Sequence, residues 1–215
     1  MKAWAQFPTK WILQNKDLNQ ILWRQHKSNG IAALLVLIAL VVKRNVDKIK
    51  GPSPDDASTV IATYNDIQKL VTISRSKVSK GLTLLTDLNI IERVEANRSN
   101  YRLHGVVAQG EWAMLPQEHL MLSGRISAFD AFNLRSQSEL DALKIYLLMV
   151  AFRNTKSGYA HIGFNKITEY TGVSTRNLKK AKSHLISLGL IHADSDTENV
   201  QVGAHPPLRY KILGF

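Results

Sequence analysis

The longest uninterrupted hydrophobic stretch lies in the first quarter of the chain and runs from Gly30 to Val42. An α-helix rises about 1.5 Å per residue, so this stretch covers roughly 20 Å, whereas the hydrocarbon core of a bilayer is roughly 30 Å thick. Lys27 stands before the stretch, and Lys43 and Arg44 follow it directly. The pattern therefore predicts a buried core helix, and we expect no membrane span and no signal peptide.

Two amphipathic helices are predicted by apolar residues spaced at i, i+3, i+7 and i+10. Ser74 and Ser174 stand at their starts as predicted N-caps. A short helix is predicted in front of each, the first capped by Asn65 or Thr63, the second capped by Asn165 and ended by Gly172. Alternating sequence after each helix predicts a hairpin, over 90–103 and over 190–213. The two apolar stripes are Val78, Gly81, Leu85, Leu88 and Leu178, Ala181, Leu185, Leu188.

The same order of patterns occurs twice along the chain. Segments 64–91 and 164–191 align without a gap at an offset of 100, with 7 of 28 positions identical. Upstream, 33–45 corresponds to 142–154 at an offset of 109, and the strand-like motifs WAQFP and WAMLP correspond at an offset of 108. Agreement in order and offset predicts an internal duplication. We therefore expect domains at 1–107 and 108–215, each mainly α with small β-hairpins (α+β).

Charge and composition narrow the class of partner. The chain has 28 Lys and Arg against 17 Asp and Glu, a formal net charge of +11, and no cysteine. Residues 1–107 hold 16 of the basic and 8 of the acidic side chains. The basic excess favours a polyanionic partner. The lack of cysteine excludes disulfides, a thiol nucleophile and Cys-type zinc sites, and indicates a reducing cytoplasm.

The strings SRSKVSKGLTLLTDLNII and GVSTRNLKKAKSHLISLGLI resemble the recognition-helix segments of bacterial winged helix-turn-helix DNA-binding proteins. Two such units, each introduced by a strand of the form WAxΦP (Φ, an apolar residue), are similar to tandem winged-helix replication initiators of plasmids and phages. The resemblance implies two tandem winged helix-turn-helix domains that bind double-stranded DNA. It implies a bacterial cytoplasmic protein associated with the nucleoid or a plasmid, with host replication proteins or a second copy of itself as further partners.

DNA contacts are assigned to the helix faces opposite the apolar stripes and to the hairpins, or wings. Arg, Lys and Asn can read base edges, while Ser, Thr and Lys can bind phosphates. We expect the first wing to bind and the acidic second wing to point away except near Arg209, which would make the first half the tighter anchor. The candidates are Ser74, Arg75, Ser76, Lys77, Ser79, Lys80, Thr83, Arg93, Arg98, Asn100 and Arg102, then Ser174, Thr175, Arg176, Asn177, Lys179, Lys180, Ser183 and Arg209.

No pattern of catalytic residues is found, so the chain is not expected to be an enzyme. It has no GxxxxGK[ST] phosphate-binding loop, and its seven histidines form no His-hydrophobic-His pair. No cofactor or metal is expected. Trp4 and Trp112 could stack on bases, but packing at a domain edge is the favoured interpretation. The loop 48–58 is an insertion relative to the second copy and indicates no function.

Three functions remain open at the level of sequence. The first is a replication initiator that recognises repeated origin sites. The second is a transcriptional regulator that binds an operator through the same surfaces, and no residue separates it from the first. The third is a winged-helix scaffold that binds protein, which would make the basic helix faces incidental.

Overall fold

A computed structural model describes residues 3–50, 57–94, 99–106, 110–195 and 208–215. The helices are α1 (Lys10–Leu13), α2 (Trp23–His26), α3 (Ser28–Lys50), α4 (Tyr64–Leu70), α5 (Arg75–Asp87), α6 (Gln117–Leu120), α7 (Gln137–Phe152), α8 (Phe164–Thr171) and α9 (Thr175–Ser187), with a 3-10 turn at Asp17–Gln20. The strands are β1 (Ala5–Pro8), β2 (Thr59–Ile61), β3 (Ile91–Arg93), β4 (Asn100–Leu103), β5 (Trp112–Leu115), β6 (Met121–Leu122), β7 (Arg125–Ile126), β8 (Tyr159–His161), β9 (Ile191–Ser195) and β10 (Leu208–Ile212).

The predicted combination of helices with small hairpins is confirmed, since 51% of residues are helical and 18% lie in small antiparallel sheets. The order helix, strand, helix, helix, strand, strand occurs from α3 to β4 and again from α7 to β10. The two three-stranded sheets also have matching strand orders, β2-β4-β3 and β8-β10-β9. Between its first strand and its long helix, the first half has α1, the 3-10 turn and α2. In the second half the same region is α6 followed by the β6–β7 hairpin.

Local capping explains where most of these helices begin. Thr63 and Asp66 form a reciprocal capping box at α4, and the Ser74 hydroxyl accepts the backbone N–H of Lys77 at the start of α5. Two predicted caps are wrong in detail. Gly163, not Asn165, is the N-cap of α8, and Ser174 stands at the N-cap of α9 without a side-chain hydrogen bond.

Two predicted segment ends can also be compared with the structure. Gly172 ends α8 at φ +66°, as predicted, because glycine adopts the left-handed region without a Cβ penalty. The predicted loop 48–58 begins too early, since α3 continues to Lys50. Most of the rest of that loop, 51–56, lies outside the described residues.

The strands that begin the two halves pair with each other. β1 and β5 are antiparallel, with Ala5 opposite Leu115, Gln6 opposite Met114 and Phe7 opposite Ala113. At the offset of 108, Ala5 corresponds to Ala113 and Phe7 to Leu115, so the pairs Ala5–Leu115 and Phe7–Ala113 are equivalent to each other. Gln6 corresponds to Met114, which is its own partner in the strand pair. Trp4 and Trp112, which the same offset relates, stack with ring centroids 5.7 Å apart and planes inclined by 9°. The two halves are therefore related, at this strand pair, by an approximate twofold axis.

Helix α3 lies in the centre of the molecule. All residues from Ile31 to Val42 are at most 4% exposed, because α5, α7, β1 and β2 pack around the helix. By length and composition alone, Ser28–Asp47 could span a bilayer, but 83% of its most apolar window is buried inside the fold. The predicted core helix is thus confirmed.

The two halves share one hydrophobic core. Residues of both contribute to a single buried cluster, in which α3 packs on α7. Gly30 lets the start of α3 approach Leu140, since a Cβ there would lie 3.3 Å from a Leu140 methyl group and 2.9 Å from Ile21. Asn45 donates to the buried Gln117 amide oxygen at 2.8 Å across the halves. The domain boundary near 107 stays a prediction.

Helix α5 approaches α3 most closely at Gly81. A Cβ on Gly81 would lie 3.1 Å from the backbone of Ala32 and Ala33, and backbone atoms cannot turn aside. The equivalent residue on α9 is Ala181, which is fully buried as α9 packs on α7. The α5–α3 contact therefore leaves little room for a side chain at position 81.

We predict that Gly81→Val lowers the free energy of unfolding by about 2 kcal/mol or more, because overpacking forces the two helices apart. Thr83→Val is the matched control, since it places the same side chain at an exposed site of the same helix and should cost under about 0.5 kcal/mol. Urea unfolding measures both. Equal midpoints for the two variants would contradict the close approach.

Lys144 is a buried cation at the junction of the halves. It is 2% exposed and donates to the Ile21 carbonyl oxygen at 2.9 Å. Burial lowers the pKa of Lys144 to about 8, although the nearby Asp141 opposes the shift. The pKa of Asp141 is itself raised by burial. The unfolded chain thus binds more protons than the folded chain between about pH 8 and 10.5, so stability should rise with pH across that window.

We predict that this rise amounts to about 3 kcal/mol and that Lys144→Met removes most of it, because Lys182, whose pKa burial also lowers, keeps a smaller part. Burial raises the pKa values of Tyr101, Tyr146 and Tyr210 above 10, so these tyrosines oppose the rise only near pH 10 and act equally in both variants. Chemical denaturation at pH 7, 8, 9 and 10 measures the slope. Lys156→Met, at an exposed turn, should keep the rise. If stability rises equally steeply with pH in Lys144→Met, the rise belongs to another group.

Candidate nucleic-acid interface

Helix α5 presents a polar face opposite its buried side. Val78, Leu82 and Leu85 are fully buried, whereas Lys80 and Thr83 are exposed and Ser79 is half-buried. The Thr83 hydroxyl donates to the Ser79 carbonyl oxygen at 3.1 Å. Ser74, Arg75 and Ser76 are also exposed at the start of the helix. The predicted face is thus solvent-accessible, but its cations differ in how much they contact the rest of the fold.

Arg75 and Lys77 make contacts within the fold. The Arg75 guanidinium donates to the Asn65 amide oxygen at 3.0 Å and lies 5.0 Å from the centre of the Tyr64 ring. The Lys77 ammonium donates to Ser28 Oγ at 2.6 Å and Asn29 Oδ1 at 2.7 Å. Lys77 therefore ties α5 to the start of α3. Arg75 is exposed but held against α4.

Helix α9 presents the equivalent face with more available charge. Ser174, Thr175, Arg176, Lys179, Lys180 and Ser183 are all exposed. The Ser183 hydroxyl donates to the Lys179 carbonyl oxygen at 3.0 Å, the same contact that Thr83 makes in α5. Among the described residues, Arg176, Lys179 and Lys180 have no ion-pair partner. They form a cluster of three cations within about one helical turn.

Asn177 and Lys182 serve the fold instead. The Asn177 amide donates to Asp141 on α7 at 3.4 Å, which matches the position of the Lys77 contact in the first half. The Lys182 ammonium lies 5.3 Å and 5.4 Å from the ring centres of Phe164 and Tyr210. Burial lowers the pKa of Lys182. Its counterpart on α5 is the buried Leu82, so this position faces inward in both helices.

The first wing carries less available charge than its sequence suggests. Arg93 is exposed on β3, but Arg102 donates to Glu92 at 2.8 Å across the strand pair. Asn100 is half-buried on β4. Arg98, in the turn, lies outside the described residues.

The second wing is described only at its base. Arg209 on β10 is half-buried and lies 4.8 Å from the centre of the Tyr159 ring. Residues 196–207, which include the acidic Asp196 and Glu198, lie outside the described residues. The orientation predicted for this wing therefore stays a prediction.

Two exposed cations near α5 were not among the sequence candidates. Arg24 and Lys27 lie on and just after α2, directly before Ser28 and Asn29, which Lys77 contacts. They therefore border the start of α5. In the sequence, Lys27 is interpreted only as a charge that precedes the apolar stretch, and Arg24 is assigned no role. Their proximity to α5 depends on the packing of α5 on α3.

Trp4 and Trp112 stack on each other, in agreement with the packing interpretation. Among the residues that the structure describes, no three His, Asp or Glu side chains converge as metal ligands.

No family model, curated protein or solved structure matches this chain. The assignment of the surface therefore depends on the chain's own geometry and charge.

We predict that Lys77→Met lowers the free energy of unfolding by about 1 kcal/mol, because it removes two charge-assisted hydrogen bonds to the start of α3. Lys80→Met is the matched control on the exposed face of the same helix, and it should change stability by less than about 0.5 kcal/mol. Thermal or urea unfolding compares them. If Lys80→Met were the more destabilising, the division between structural and available cations would be wrong.

Proposed function

We propose that this chain binds double-stranded DNA as two tandem winged-helix units that insert α5 and α9 into the major groove. The observation that carries the proposal is the exposed, unpaired cluster of Arg176, Lys179 and Lys180 on α9, repeated in smaller form by Lys80 on α5. In the described part of the chain, no acidic side chain pairs with these charges. A polyanion with regularly spaced phosphates is the partner that they fit.

The order of elements supports the assignment of α5 and α9 as recognition helices. In each half a short helix and a tight turn precede α5 or α9, and a two-stranded wing follows. This is the order of a winged helix-turn-helix module, in which the second helix of the pair enters the groove. The first-turn residues of that helix then read bases. These are Arg75 and Ser76 in one half, and Thr175 and Arg176 in the other.

The twofold relation at β1 and β5 suggests how the two units share a site. Units related by a twofold axis meet the duplex in opposite directions, as the two subunits of a symmetric dimer do. We therefore expect two inverted half-sites, about one helical turn apart. Because Arg75-Ser76 and Thr175-Arg176 differ, the half-sites should differ in sequence.

The division of labour between the halves follows from the contacts rather than from net charge. Net charge predicted the first half as the tighter anchor. However, Arg75, Lys77 and Arg102 all have partners within the fold. In the second half three cations of one helix are available, so we propose that α9 supplies the larger electrostatic share.

The biological role that we propose is replication initiation at repeated origin sites, in line with the resemblance of the tandem units to plasmid and phage initiators. Mapping the bound sites tests the role. Several copies in direct orientation beside the gene support an initiator, whereas one site over the gene's own promoter supports a transcriptional regulator. A chain that binds no duplex supports a protein-binding scaffold.

We predict that the triple variant Arg176→Gln, Lys179→Gln, Lys180→Gln weakens DNA binding and lowers the slope of log K against log salt by about 2 to 3, because each phosphate contributes about 0.9. Binding is measured by fluorescence anisotropy on random duplexes longer than two turns, about 21 base pairs. Single Lys80→Gln should lower the slope by about 1 or less.

Lys156→Gln is the control. Lys156 is exposed in the turn that follows α7, whereas the Asn177–Asp141 contact lies near the start of that helix. This control variant should leave the slope unchanged. Circular dichroism checks that each variant is folded. A folded triple variant with the wild-type slope would contradict the assignment of α9.

A further inference from the structure

Each half reaches across to the segment that precedes the recognition helix of the other half. The 3-10 turn of the first half packs on α8, and β7 of the second half packs on α4. In both places a basic residue makes the contact: Lys16 in the first half and Arg125 in the second. These two residues correspond at the offset of 109 that relates α3 to α7. The contacts are therefore reciprocal.

We call each of these two contacts between the halves a brace. The first brace joins the 3-10 turn to the end of α8. The Lys16 ammonium pairs with the Glu169 carboxylate and lies 5.2 Å from the centre of the Tyr170 ring. The Asn19 amide donates to the Glu169 carbonyl oxygen at 3.4 Å, and its side chain fills the space that a Cβ on Gly172 would need. Gly172 is three residues before α9.

The turn that presents Lys16 and Asn19 is organised by a buried carboxylate. Asp17 is 6% exposed and accepts the side-chain amides of Gln20 at 2.6 Å and Asn15 at 3.2 Å. Lys16 itself adopts φ +58°, which places its side chain across the junction. The first brace is therefore built on a structured loop and not on a freely rotating side chain.

The second brace joins the β6–β7 hairpin to the turn before α5. Arg125 donates to the Thr72 hydroxyl and to both Asp130 oxygens, at 2.8 and 2.9 Å, and Thr72 donates to Asp130 at 3.3 Å. Ser123 and Gly124 have φ of +52° and +80°, as a type I′ turn requires, and this turn presents Arg125. Thr72 corresponds to Gly172 at the offset of 100.

We propose that these two braces are positioning devices that fix the separation of α5 and α9, and so set the half-site spacing that the protein accepts. The shared core joins the halves, and the strand pair and the tryptophan stack lie on their approximate twofold axis. The braces lie away from it, directly before the two recognition helices. Exposed ion pairs add little stability, typically 0–1 kcal/mol, so their loss should alter geometry more than folding.

The consequence for DNA rests on the proposed function, whereas the geometry is tested without DNA. The chain has no cysteine, so Thr83→Cys with Ser183→Cys places spin labels at equivalent exposed sites of α5 and α9 alone. Pulsed electron paramagnetic resonance then gives the distribution of distances between them. We expect a narrow distribution in the otherwise unchanged chain and a clearly broader one with Lys16→Gln and Arg125→Gln. An unchanged distribution would overturn the inference.

The charge swap provides a matched control. Lys16→Glu alone should broaden the distribution, because it opposes two carboxylates, and Lys16→Glu with Glu169→Lys should narrow it again at unchanged net charge. Lys156→Gln should have no effect. Unfolding midpoints measured in parallel separate geometry from stability. The inference would also be overturned if the distance distribution broadened only in variants with a lower unfolding midpoint and the charge swap did not narrow it again.

The DNA arm uses a duplex selected from a random library by the wild-type chain. Inserting one base pair between the half-sites rotates them by about 34°. We expect a loss of affinity of about tenfold or more in wild type and less than about threefold in the brace variant. Equal losses would overturn the inference and leave DNA binding intact. A broadened distribution in a chain that selects no duplex would uphold the braces and defeat the proposed function.

Discussion

The antiparallel pairing of β1 with β5 is the constraint on which the rest of the structure depends. Each strand is four residues long and pairs with no other strand among the residues that the structure describes, so the two-stranded sheet needs both halves. The pairing places Gln6 against Met114 and Trp4 against Trp112 on one approximate twofold axis. With α3 packed on α7, it joins two repeated units into one core. It sets the approximate twofold relation between α5 and α9, whereas their separation is what the two braces are proposed to fix.

The same packing determines which basic residues are available to a partner. Lys77 and Asn177 attach α5 and α9 to the long helix of their own half. Lys182 lies between two aromatic rings, and Arg102 pairs with Glu92. Lys80 and the α9 cluster of three are therefore exposed and make no side-chain ion pair or hydrogen bond with the described part of the fold, and they are four of the seven Lys and Arg residues on the two helices. Net charge by half is a poor guide to this division.

Much of the fold could be predicted because it depends on local signals. The apolar run predicts the buried part of α3, and Ser74 and Gly172 mark a helix start and a helix end as expected from backbone capping. The i, i+3, i+7 stripes identify the buried sides of α5 and α9, and hence their polar faces. Errors occur where a local signal competes with an equivalent one, as with Gly163 and Asn165 at the start of α8.

The sequence by itself determined the repeat, the order of the elements and the exposed faces of α5 and α9, since periodicity, capping and internal similarity are all properties of short segments. Only the tertiary structure decided that β1 pairs with β5 and that Lys77 and Arg102 form hydrogen bonds within the fold. It also decided that Lys16 and Arg125 contact the opposite half. These contacts join residues separated by up to 153 positions. No local pattern records which distant group a long, flexible basic side chain will meet.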